Sequence, residues 1–407
     1  MNFSGIKKIL VIKLRHIGDV LLSVPVFRAL RENFPEAHIA VLVNSGTEEV
    51  LETIPFINEI IAFDRSIKEM NFPQKYIKEI SFLKMMRRKG FDMAVDLTGG
   101  DRAAMISFVT GATYRLAHDT RGGFGGKKYL YTHLALRNDN QHTVLQNLDI
   151  VRQFGIKTDN LSVDISISED VRVFVKKVFE KNGTNKIKTT PLSPPLIRRE
   201  FKGGVFSEGN AKVVHVHPTS RWLFKCWKDE YMADVINWLT DRGITVIVTS
   251  APDKREMEKA KKILSIVRSR VTVLSSQLLD LCGKTNLKQL AAISEVSDLF
   301  FGVDSAPMHI AAAVGTPVVA LFGPSGAFHW GPWDNESSKL SIKSLEFNPP
   351  YLGKNRILTF GIHTVIQQDW KCVPCGKDGC DGSKTSRCLA EMKTEEVINI
   401  LKGKLNI

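Results

Sequence analysis

Residues 8–25, KILVIKLRHIGDVLLSVP, predict a buried β-strand that passes through a short polar turn into a helix. The run KILVIKL is rich in β-branched residues, and apolar residues recur at helical spacing through VLLSVPVFRALRENF. A second apolar run, HIAVLV, follows Pro35 at the spacing of a strand–helix–strand unit. INEIIAF and FDMAVDL continue the alternation, so the first half predicts a parallel sheet flanked by helices.

The same alternation starts again in the second half of the chain. AKVVHVHP predicts a strand, YMADVINWLTDRG a helix and ITVIVTS another strand, and KREMEKAKKILSIV, LFFGVD and PVVALFG extend the series. A chain of 407 residues is also too long for one ordinary core. We therefore predict an α/β protein with two Rossmann-like domains, whose parallel sheets face each other across a cleft.

The segment between the two halves has a different composition. Residues 183–210 contain three prolines and a Gly-Gly pair, and they lack sustained periodicity. Just before it, HTVLQNLDIVRQF predicts a helix and LSVDISI a strand. The expected division is a first Rossmann-like domain over residues 1–182, a linker or insertion over 183–210, and a second Rossmann-like domain over 211–407.

Composition and charge restrict the classes of partner. A net charge of +13 attracts anions, whether nucleic acid, an acidic membrane surface or phosphorylated substrates. No zinc-finger spacing or RNA-binding aromatic signature is present, so no nucleic-acid partner is expected. No apolar run approaches the roughly 20 residues of a membrane-spanning helix, and no secretory signal is evident. We expect a cytoplasmic protein, with a peripheral position on the cytoplasmic face of the inner membrane as a further expectation.

Three loops that follow predicted strands contain the candidate site residues. In the first, Gly18 precedes Asp19 at the expected start of a helix. A carboxylate there either caps the helix or acts as a general base, and the pattern leaves both open. The glycine fingerprint G-x-G-x-x-G of dinucleotide-binding domains is missing from this turn.

The second loop, in HPTSRWLFKCW, combines hydroxyl groups and cations after a strand. Thr219 and Ser220 supply the hydroxyls, and Arg221 and Lys225 supply the positive charges that hold phosphate oxygens. Within the strand, His215 is expected to be a core residue, whereas the position of His217 stays open.

The third loop belongs to FFGVDSAPMHIAAAVGTPVVALFGPSG. A strand is expected to end at Asp304, and a helix is expected to begin around Pro307, where free backbone N–H groups form an anion site. A diphosphate could bind at this helix, with His309 at the same end. Asp304 could accept hydrogen bonds from sugar hydroxyls.

Together these three stretches closely resemble the ADP-heptose:lipopolysaccharide heptosyltransferases, glycosyltransferase family 9. Within that family, HPTSRWLFKCW and GVDSAPMHIAAAVGTP are most similar to the heptosyltransferase III type, which adds a side-branch heptose to the inner core. The resemblance implies a GT-B fold and an inverting transfer of heptose from ADP-L-glycero-D-manno-heptose to the inner core of lipopolysaccharide. It implies no metal and no other cofactor, and no Asp-x-Asp metal motif is evident.

The resemblance also implies a role for individual residues. Asp19 matches the catalytic base, and Lys225 matches the lysine that neutralises the departing diphosphate. The donor-binding positions are Thr219, Ser220, Thr285, Asp304, Ser305, Ala306 and His309. The expected contacts to a phosphorylated lipopolysaccharide acceptor are Arg15, His16, Arg102 and Arg121. Two departures affect the match, because the Lys225 loop is one residue longer than in the heptosyltransferase I type, and Ser-Ala replaces the Thr-Gly of some relatives after Asp304.

Four of the six cysteines, Cys372, Cys375, Cys380 and Cys388, lie close together in the sequence. In a cytoplasmic protein such a cluster favours metal binding over disulfides. The spacing is not that of a paired zinc knuckle, so reduced thiols are the expectation and a structural zinc is the alternative.

Two other functions stay open at this point. A nucleotide-binding oxidoreductase would suit two Rossmann-like domains, although the missing glycine fingerprint argues against it. A non-catalytic anion-binding module would suit the basic charge but would leave a two-domain cleft unexplained.

Overall fold

The computed structural model describes residues 3–119, 122–181, 212–270, 277–336 and 356–407, and every statement below concerns these residues. They form two compact units. The first contains the described parts of residues 3–166 together with Asn335 and Glu336. The second contains the described parts of Ile167–Asp334 and of the chain from Arg356 onward. The predicted linker, 183–210, and Arg121 lie outside the described residues.

The first unit is built on a six-stranded sheet whose paired strands are all parallel. Its strands are β1 (Lys8–Lys13), β2 (His38–Asn44), β3 (Glu59–Phe63), β4 (Met93–Asp96), β5 (Tyr114–His118) and β6 (His133–Ala135). The spatial order is β3-β2-β1-β4-β5-β6, as in dinucleotide-binding sheets. In this register Ile12 of β1 lies between Leu42 and Asp96. The predicted parallel sheet of the first half is confirmed.

Helices cover this sheet, and their apolar sides explain why they form. They are α1 (Ile17–Leu21), α2 (Val24–Asn33), α3 (Gln74–Arg88), α4 (Asp101–Val109) and α5 (Thr143–Arg152). Pro25 stands in the first turn of α2, where a missing N–H costs nothing. Met86 of α3 and Ile106 of α4 pack with Leu10 and Leu42 of the sheet in one core. Short 3-10 turns lie at Glu48–Leu51, Arg65–Glu69 and Lys127–Leu130.

The strand expected at LSVDISI, residues 161–167, is wrong, because these residues form no strand. Side chains distant in the sequence pair with this backbone instead of a neighbouring strand. Arg28 donates to the carbonyl oxygens of Asn160 and Ser162 at 2.7 and 2.8 Å. Asn335 both accepts from the N–H and donates to the carbonyl of Val163, at 2.9 and 3.0 Å. The apolar residues of this segment are therefore buried without pairing to a neighbouring strand.

The second unit contains a seven-stranded sheet of the same kind. Its strands are β7 (Val213–His217), β8 (Thr245–Val248), β9 (Leu278–Asp280), β10 (Leu299–Val303), β11 (Val318–Phe322), β12 (Ile357–Phe360) and β13 (His363–Gln367). The order is β12-β13-β11-β10-β7-β8-β9, and only β12 runs antiparallel to its neighbour. The restart of the α/β alternation in the second half is confirmed.

Eight helices of the second unit lie within the described residues. They are α6 (Glu169–Lys181), α7 (Asp229–Thr240), α8 (Lys254–Arg270), α9 (Leu287–Val296), α10 (Ala306–Ala313), α11 (Ala327–Trp330), α12 (Arg387–Ala390) and α13 (Thr394–Leu405). Two 3-10 turns lie at Leu223–Lys225 and Cys380–Gly382. Helix α6 packs on α9, where Arg172 bonds Glu295 through two nitrogens at 3.1 Å. These contacts place α6 in the second unit, whereas the sequence analysis counted residues up to 182 with the first.

The helices in the described parts of the chain include none that is both long and apolar enough to span a bilayer.

Candidate active site

Strand order in each unit points to the place where a ligand would bind. The order reverses between β1 and β4 in the first unit, and between β7 and β10 in the second. At such a reversal the loops after the two strands diverge and leave a crevice at the carboxyl ends, where ligands of this fold bind. Asp19 follows β1, Lys225 follows β7 and Asp304 follows β10. These three predicted site residues therefore follow the strands at the reversal point of their own unit.

Asp19 is the third residue of helix α1, and its side chain is half-buried. One carboxylate oxygen accepts a hydrogen bond from the backbone N–H of His16 at 3.4 Å. This bond is the capping interaction that the sequence left as one alternative, but it is long and engages one of the two oxygens. The capping contact thus does not exclude the second alternative, and the role of Asp19 as a base stays a prediction.

Lys13 is a buried lysine at the end of β1 for which the sequence predicted no role in the site. Its ammonium group donates to the carbonyl oxygen of Leu97 at 3.0 Å and to Asn147 Oδ1 at 2.9 Å. Burial lowers the pKa of Lys13 from 10.5 to about 8, and the negative charges of Asp19 and Asp96 oppose this shift. Burial therefore disfavours the charged form of Lys13, which lies at the start of the loop that bears Asp19.

Asp96 ties the two loops at the reversal point of the first unit together. The buried carboxylate accepts from the Tyr131 hydroxyl at 2.5 Å and from the N–H of Thr98 at 2.7 Å. Burial raises the pKa of Asp96, and these hydrogen bonds oppose the rise. The Thr98 hydroxyl in turn accepts from the N–H of Leu14, and Arg15 donates to the Thr98 carbonyl at 2.9 Å. The loop that precedes Asp19 is fixed by these bonds.

The predicted acceptor-binding residues differ in their surroundings. Arg15 and His16 are exposed residues of the Asp19 loop. Arg102, on α4, bonds Glu79 at 2.8 Å and stacks over the ring of Phe63. An acceptor phosphate would have to compete with Glu79 for this guanidinium. Their contact with an acceptor stays a prediction.

The second unit brings Lys225 and Asp304 into direct contact. Lys225 Nζ lies 2.7 Å from Asp304 Oδ2, and the two side chains are 22% and 7% exposed. On β10, Gly302 packs closely against β7, because a Cβ there would lie 2.7 Å from the carbonyl oxygen of His217. The sequence predicted separate roles for these two residues, and the ion pair links them.

The loop that bears Lys225 is fastened by a segment much later in the chain. The hydroxyl of Ser386 donates to the carbonyl oxygen of Phe224 at 2.6 Å. The indole N–H of Trp227, which is buried, donates to the carbonyl oxygen of Met392 at 3.2 Å. The position of the lysine thus depends on two anchors on either side of it, and neither anchor was foreseen.

Thr219 is fully buried, and its hydroxyl donates to Glu256 Oε2 at 2.8 Å. Burial raises the pKa of Glu256, and the bond from Thr219 opposes the rise. Thr219 thus already donates its proton to a carboxylate rather than offering it to a phosphate. Glu256 was not predicted, because it lies among several other charged residues in the stretch KREMEKAKK. Ser220 accepts from the N–H of Trp222 at 3.4 Å.

Two histidines of β7 share one buried hydroxyl. His215 Nε2 and His217 Nδ1 each lie 2.8 Å from Thr249 Oγ1, and Ser294 Oγ lies 2.8 Å from the other nitrogen of His215. Burial lowers the pKa of His217 to about 3 and that of His215 well below its ordinary value. The prediction that His215 is a core residue is confirmed, and His217 is buried and neutral beside it.

The turn after β10 has the expected form. Ser305 precedes α10, and Pro307 stands in the first turn of the helix. The Ser305 hydroxyl donates to the carbonyl oxygen of Val303 at 3.2 Å, so its hydrogen points back to the strand. Ala306 offers backbone only, and His309 lies one turn further along, buried. The N-terminus of α10 therefore has free backbone N–H groups of the kind that bind anions, and anion binding there stays a prediction.

Thr285 stands apart from these bonds. It precedes the Asn286 cap of α9, and its hydroxyl oxygen is buried with no hydrogen-bond partner among the described residues. A buried hydroxyl without a partner is compatible with a ligand contact, which stays a prediction.

The clustered cysteines are free thiols in the structure. Cys372 and Cys375 are exposed, whereas Cys388 is buried, and burial raises the pKa of Cys388 to about 11. Among the residues that the structure describes, no three His, Cys, Asp or Glu side chains are grouped as metal ligands.

The buried Lys13 gives a test that depends on pH. Between pH 8 and pH 10.5, Lys13 loses its ammonium proton in the folded protein but keeps it in the unfolded chain. The contribution of Lys13 to the free energy of unfolding therefore rises with pH across that window. Lys13→Met is expected to abolish this rise, whose slope is at most about 1.4 kcal/mol per pH unit. Urea unfolding of both proteins at several pH values checks the expectation.

The readout must report on the first unit. All six tryptophans lie in the second unit, so their fluorescence follows that unit alone. Far-UV circular dichroism follows the unfolding of both units. An unfolding transition seen by circular dichroism but not by fluorescence therefore belongs to the first unit. Lys157→Met, at an exposed position of the first unit, serves as the control. Parallel stability curves for Lys13→Met and the wild type would contradict the burial of a charged lysine.

Comparison with known proteins gives a consistent result. The model of glycosyltransferase family 9 (heptosyltransferase) matches residues 80–349. Lipopolysaccharide heptosyltransferase 3 of Escherichia coli is 31% identical over 328 residues, which cover 79% of this chain and 85% of that protein.

Solved structures agree on the fold. A glycosyltransferase family 9 protein from Veillonella parvula superimposes with a TM-score of 0.67 at 19% identity, covering 98% of this chain and 97% of that one. The E. coli heptosyltransferase WaaC, solved with ADP, gives a TM-score of 0.63 at 16% identity over 98% of this chain and 99% of its own.

Proposed function

Since the chain belongs to glycosyltransferase family 9, the heptosyltransferases, and has their GT-B fold, we propose that it transfers heptose from ADP-L-glycero-D-manno-heptose to the inner core of lipopolysaccharide, as the heptosyltransferase III type does. The observation that carries the proposal is the Lys225–Asp304 pair at the carboxyl ends of β7 and β10. A cation, a carboxylate and a helix N-terminus converge there on the space that a sugar diphosphate would occupy.

The donor is held by the second unit. An ammonium group has three donors, so Lys225 can keep its bond to Asp304 and still donate to a diphosphate oxygen. The first N–H groups of α10 and the residues Ser305, Ala306 and His309 contact the phosphates, and Asp304 accepts from hydroxyls of the sugar. Thr219 and Ser220 line the same loop, and Thr285 lies at the adenine.

The proposed transfer step uses Asp19 and Lys225. Asp19 takes the proton of an acceptor hydroxyl, whose oxygen attacks the anomeric carbon while the bond from that carbon to the diphosphate breaks. The attack occurs opposite the leaving group, so the configuration inverts. Lys225 and α10 meet the charge that develops on ADP, which is why the reaction needs no metal. A general base contributes about 10²–10⁴-fold to such a step.

The acceptor is a phosphorylated core oligosaccharide on a lipid anchor. Arg15, His16, Arg102 and Arg121 are the groups of the first unit that would bind its phosphates. A net charge of +13 suits both that acceptor and the acidic surface of the inner membrane, where the protein would act peripherally from the cytoplasm.

Donor profiling tests the proposal. Purified protein is incubated with a heptose-deficient core acceptor and with ADP-heptose, UDP-glucose or GDP-mannose in parallel, and the products are identified by mass spectrometry. Transfer from ADP-heptose alone is expected, with an inverted anomeric centre by NMR and unchanged rates in EDTA. Transfer from another donor, but none from ADP-heptose, would refute the assignment of substrate.

Membership of a glycosyltransferase family sets aside the two other functions that the sequence left open. A nucleotide-binding oxidoreductase would bind NAD, and an anion-binding module would give no product. Titration with NAD by calorimetry, beside the transfer assay, separates them from the proposed activity.

A further inference from the structure

Helix α3 carries apolar side chains on the side that faces solvent. Phe82 and Leu83 pack against the core of the first unit, and Met86 belongs to that core, so this side of the helix is accounted for. On other sides Tyr76, Ile77 and Ile80 are 50%, 63% and 51% exposed. A surface helix normally carries polar residues opposite its buried stripe, so exposed residues of this type need an explanation.

Exposed cations continue the same side of the helix. Ile77, Ile80, Ser81, Lys84 and Arg88 line one shallow groove, since residues three or four apart lie on one side of a helix. Glu79 is the single acidic residue of α3, and Arg102 binds it. The groove is therefore apolar toward the start of the helix and positive toward its end.

Neighbouring residues add to the exposed apolar area. Phe72, just before α3, is 79% exposed. Helix α4 packs beside α3, and its residues Met105 and Phe108 are about half exposed. Near the following 3-10 turn, Tyr129 is 76% exposed with Lys128 beside its ring. Aromatic and basic side chains in such proximity are typical of protein surfaces that enter the headgroup region of a bilayer.

We propose that the α3 surface, comprising Phe72, Tyr76, Ile77, Ile80, Lys84 and Arg88, docks on an anionic lipid bilayer. The apolar side chains enter the interface, and Lys84 and Arg88 bind acidic headgroups. Charge decides between this partner and a second copy of the chain, because two copies would bring positive surfaces together. The inference rests on the proposed function in one respect, since a lipid-anchored acceptor gives the enzyme a reason to bind a membrane.

Vesicle sedimentation tests the docking without donor or acceptor. The full chain is mixed with vesicles of phosphatidylcholine alone, or of phosphatidylcholine with phosphatidylglycerol at three to one. Binding to the anionic vesicles is expected to exceed binding to the neutral ones by about tenfold or more. Tyr76→Ser/Ile77→Ser/Ile80→Ser and, separately, Lys84→Glu/Arg88→Glu are each expected to lower the anionic partition coefficient by about tenfold.

Matched variants control for lost apolar area and lost charge. Leu136→Ser/Ile357→Ser/Ile362→Ser removes three exposed apolar side chains elsewhere. Lys157→Glu/Lys377→Glu makes the same change of net charge at exposed positions outside α3. Both are expected to bind within about twofold of the wild type.

Several outcomes would overturn the proposal. They are a wild type that does not bind anionic vesicles, α3 variants that bind as well as their controls, and a dimer in sedimentation velocity that the serine variant abolishes. Transfer to a delipidated, soluble acceptor is measured on the same samples and is expected to be unchanged in every variant. If the wild type failed to bind vesicles but still transferred heptose, the docking proposal would be wrong and the proposed function would stand. If the wild type gave no transfer, the result would count against the proposed function.

Discussion

Asp19→Asn is expected to lower kcat/KM for heptose transfer by about 10²–10⁴-fold, the usual contribution of a general base. Asparagine keeps an oxygen that can accept from the His16 N–H, so the start of α1 should survive the change. It cannot take up a proton from the acceptor. Steady-state kinetics with ADP-heptose and a heptose-deficient acceptor provide the measurement.

Two further measurements distinguish the base from a helix cap. The Kd of ADP, by calorimetry, should not change, because the groups proposed to bind ADP all belong to the second unit. Asp170→Asn, which alters an acidic residue in the first turn of α6, should leave kcat/KM unchanged. If Asp19→Asn turned over at the wild-type rate, Asp19 would be only the cap of α1.

Lys225→Met is expected to lower kcat by about 100-fold or more, because it removes the cation that meets the developing charge of the diphosphate. Lys225→Arg keeps the charge and is expected to retain intermediate activity, since its planar group fits the Asp304 contact differently. The drop should appear in kcat as well as in KM, because the charge on the leaving group grows in the transition state.

Lys228→Met provides the matched control, because Lys228 is an exposed lysine three residues further along. Its kcat should equal that of the wild type. Lys225→Met also leaves the mostly buried Asp304 without its cation, so the unfolding midpoint of each variant must be compared. A folded Lys225→Met protein with undiminished kcat would remove Lys225 from the mechanism.

The strands that sequence predicted best are those buried on both sides. β1 and β11 are mainly apolar runs with turn residues at their ends. Such runs are typical of strands that are buried on both faces of a parallel sheet. Residues 161–167 have the alternation of a half-buried strand but form none, and the side chains of Arg28 and Asn335 bond backbone groups of Ser162 and Val163 instead. Those partners lie more than 100 positions away in the sequence, so local periodicity could not reveal them.

The sequence predicted which loops carry the candidate site residues, but it did not predict the contacts between their side chains. The order of strands and helices placed Lys225 and Asp304 after strands, and parallel strands put such loops at one edge of the sheet. Their contact required the pairing of β7 with β10, which the sequence does not state. Glu256 carried no local signal at all. Lys13 did carry a local signal, because a lysine at the end of an apolar strand is unusual. That signal would have predicted a buried lysine.

The fastening of the Lys225 loop has a consequence for how the protein is made. Ser386 bonds a residue 162 positions earlier, and the partner of the Trp227 indole lies 165 positions later. A ribosome must therefore release nearly the whole second unit before this loop can take its final position. A chain that stops before Ser386 would lack both partners, so the Lys225 loop would be left without either of its anchors.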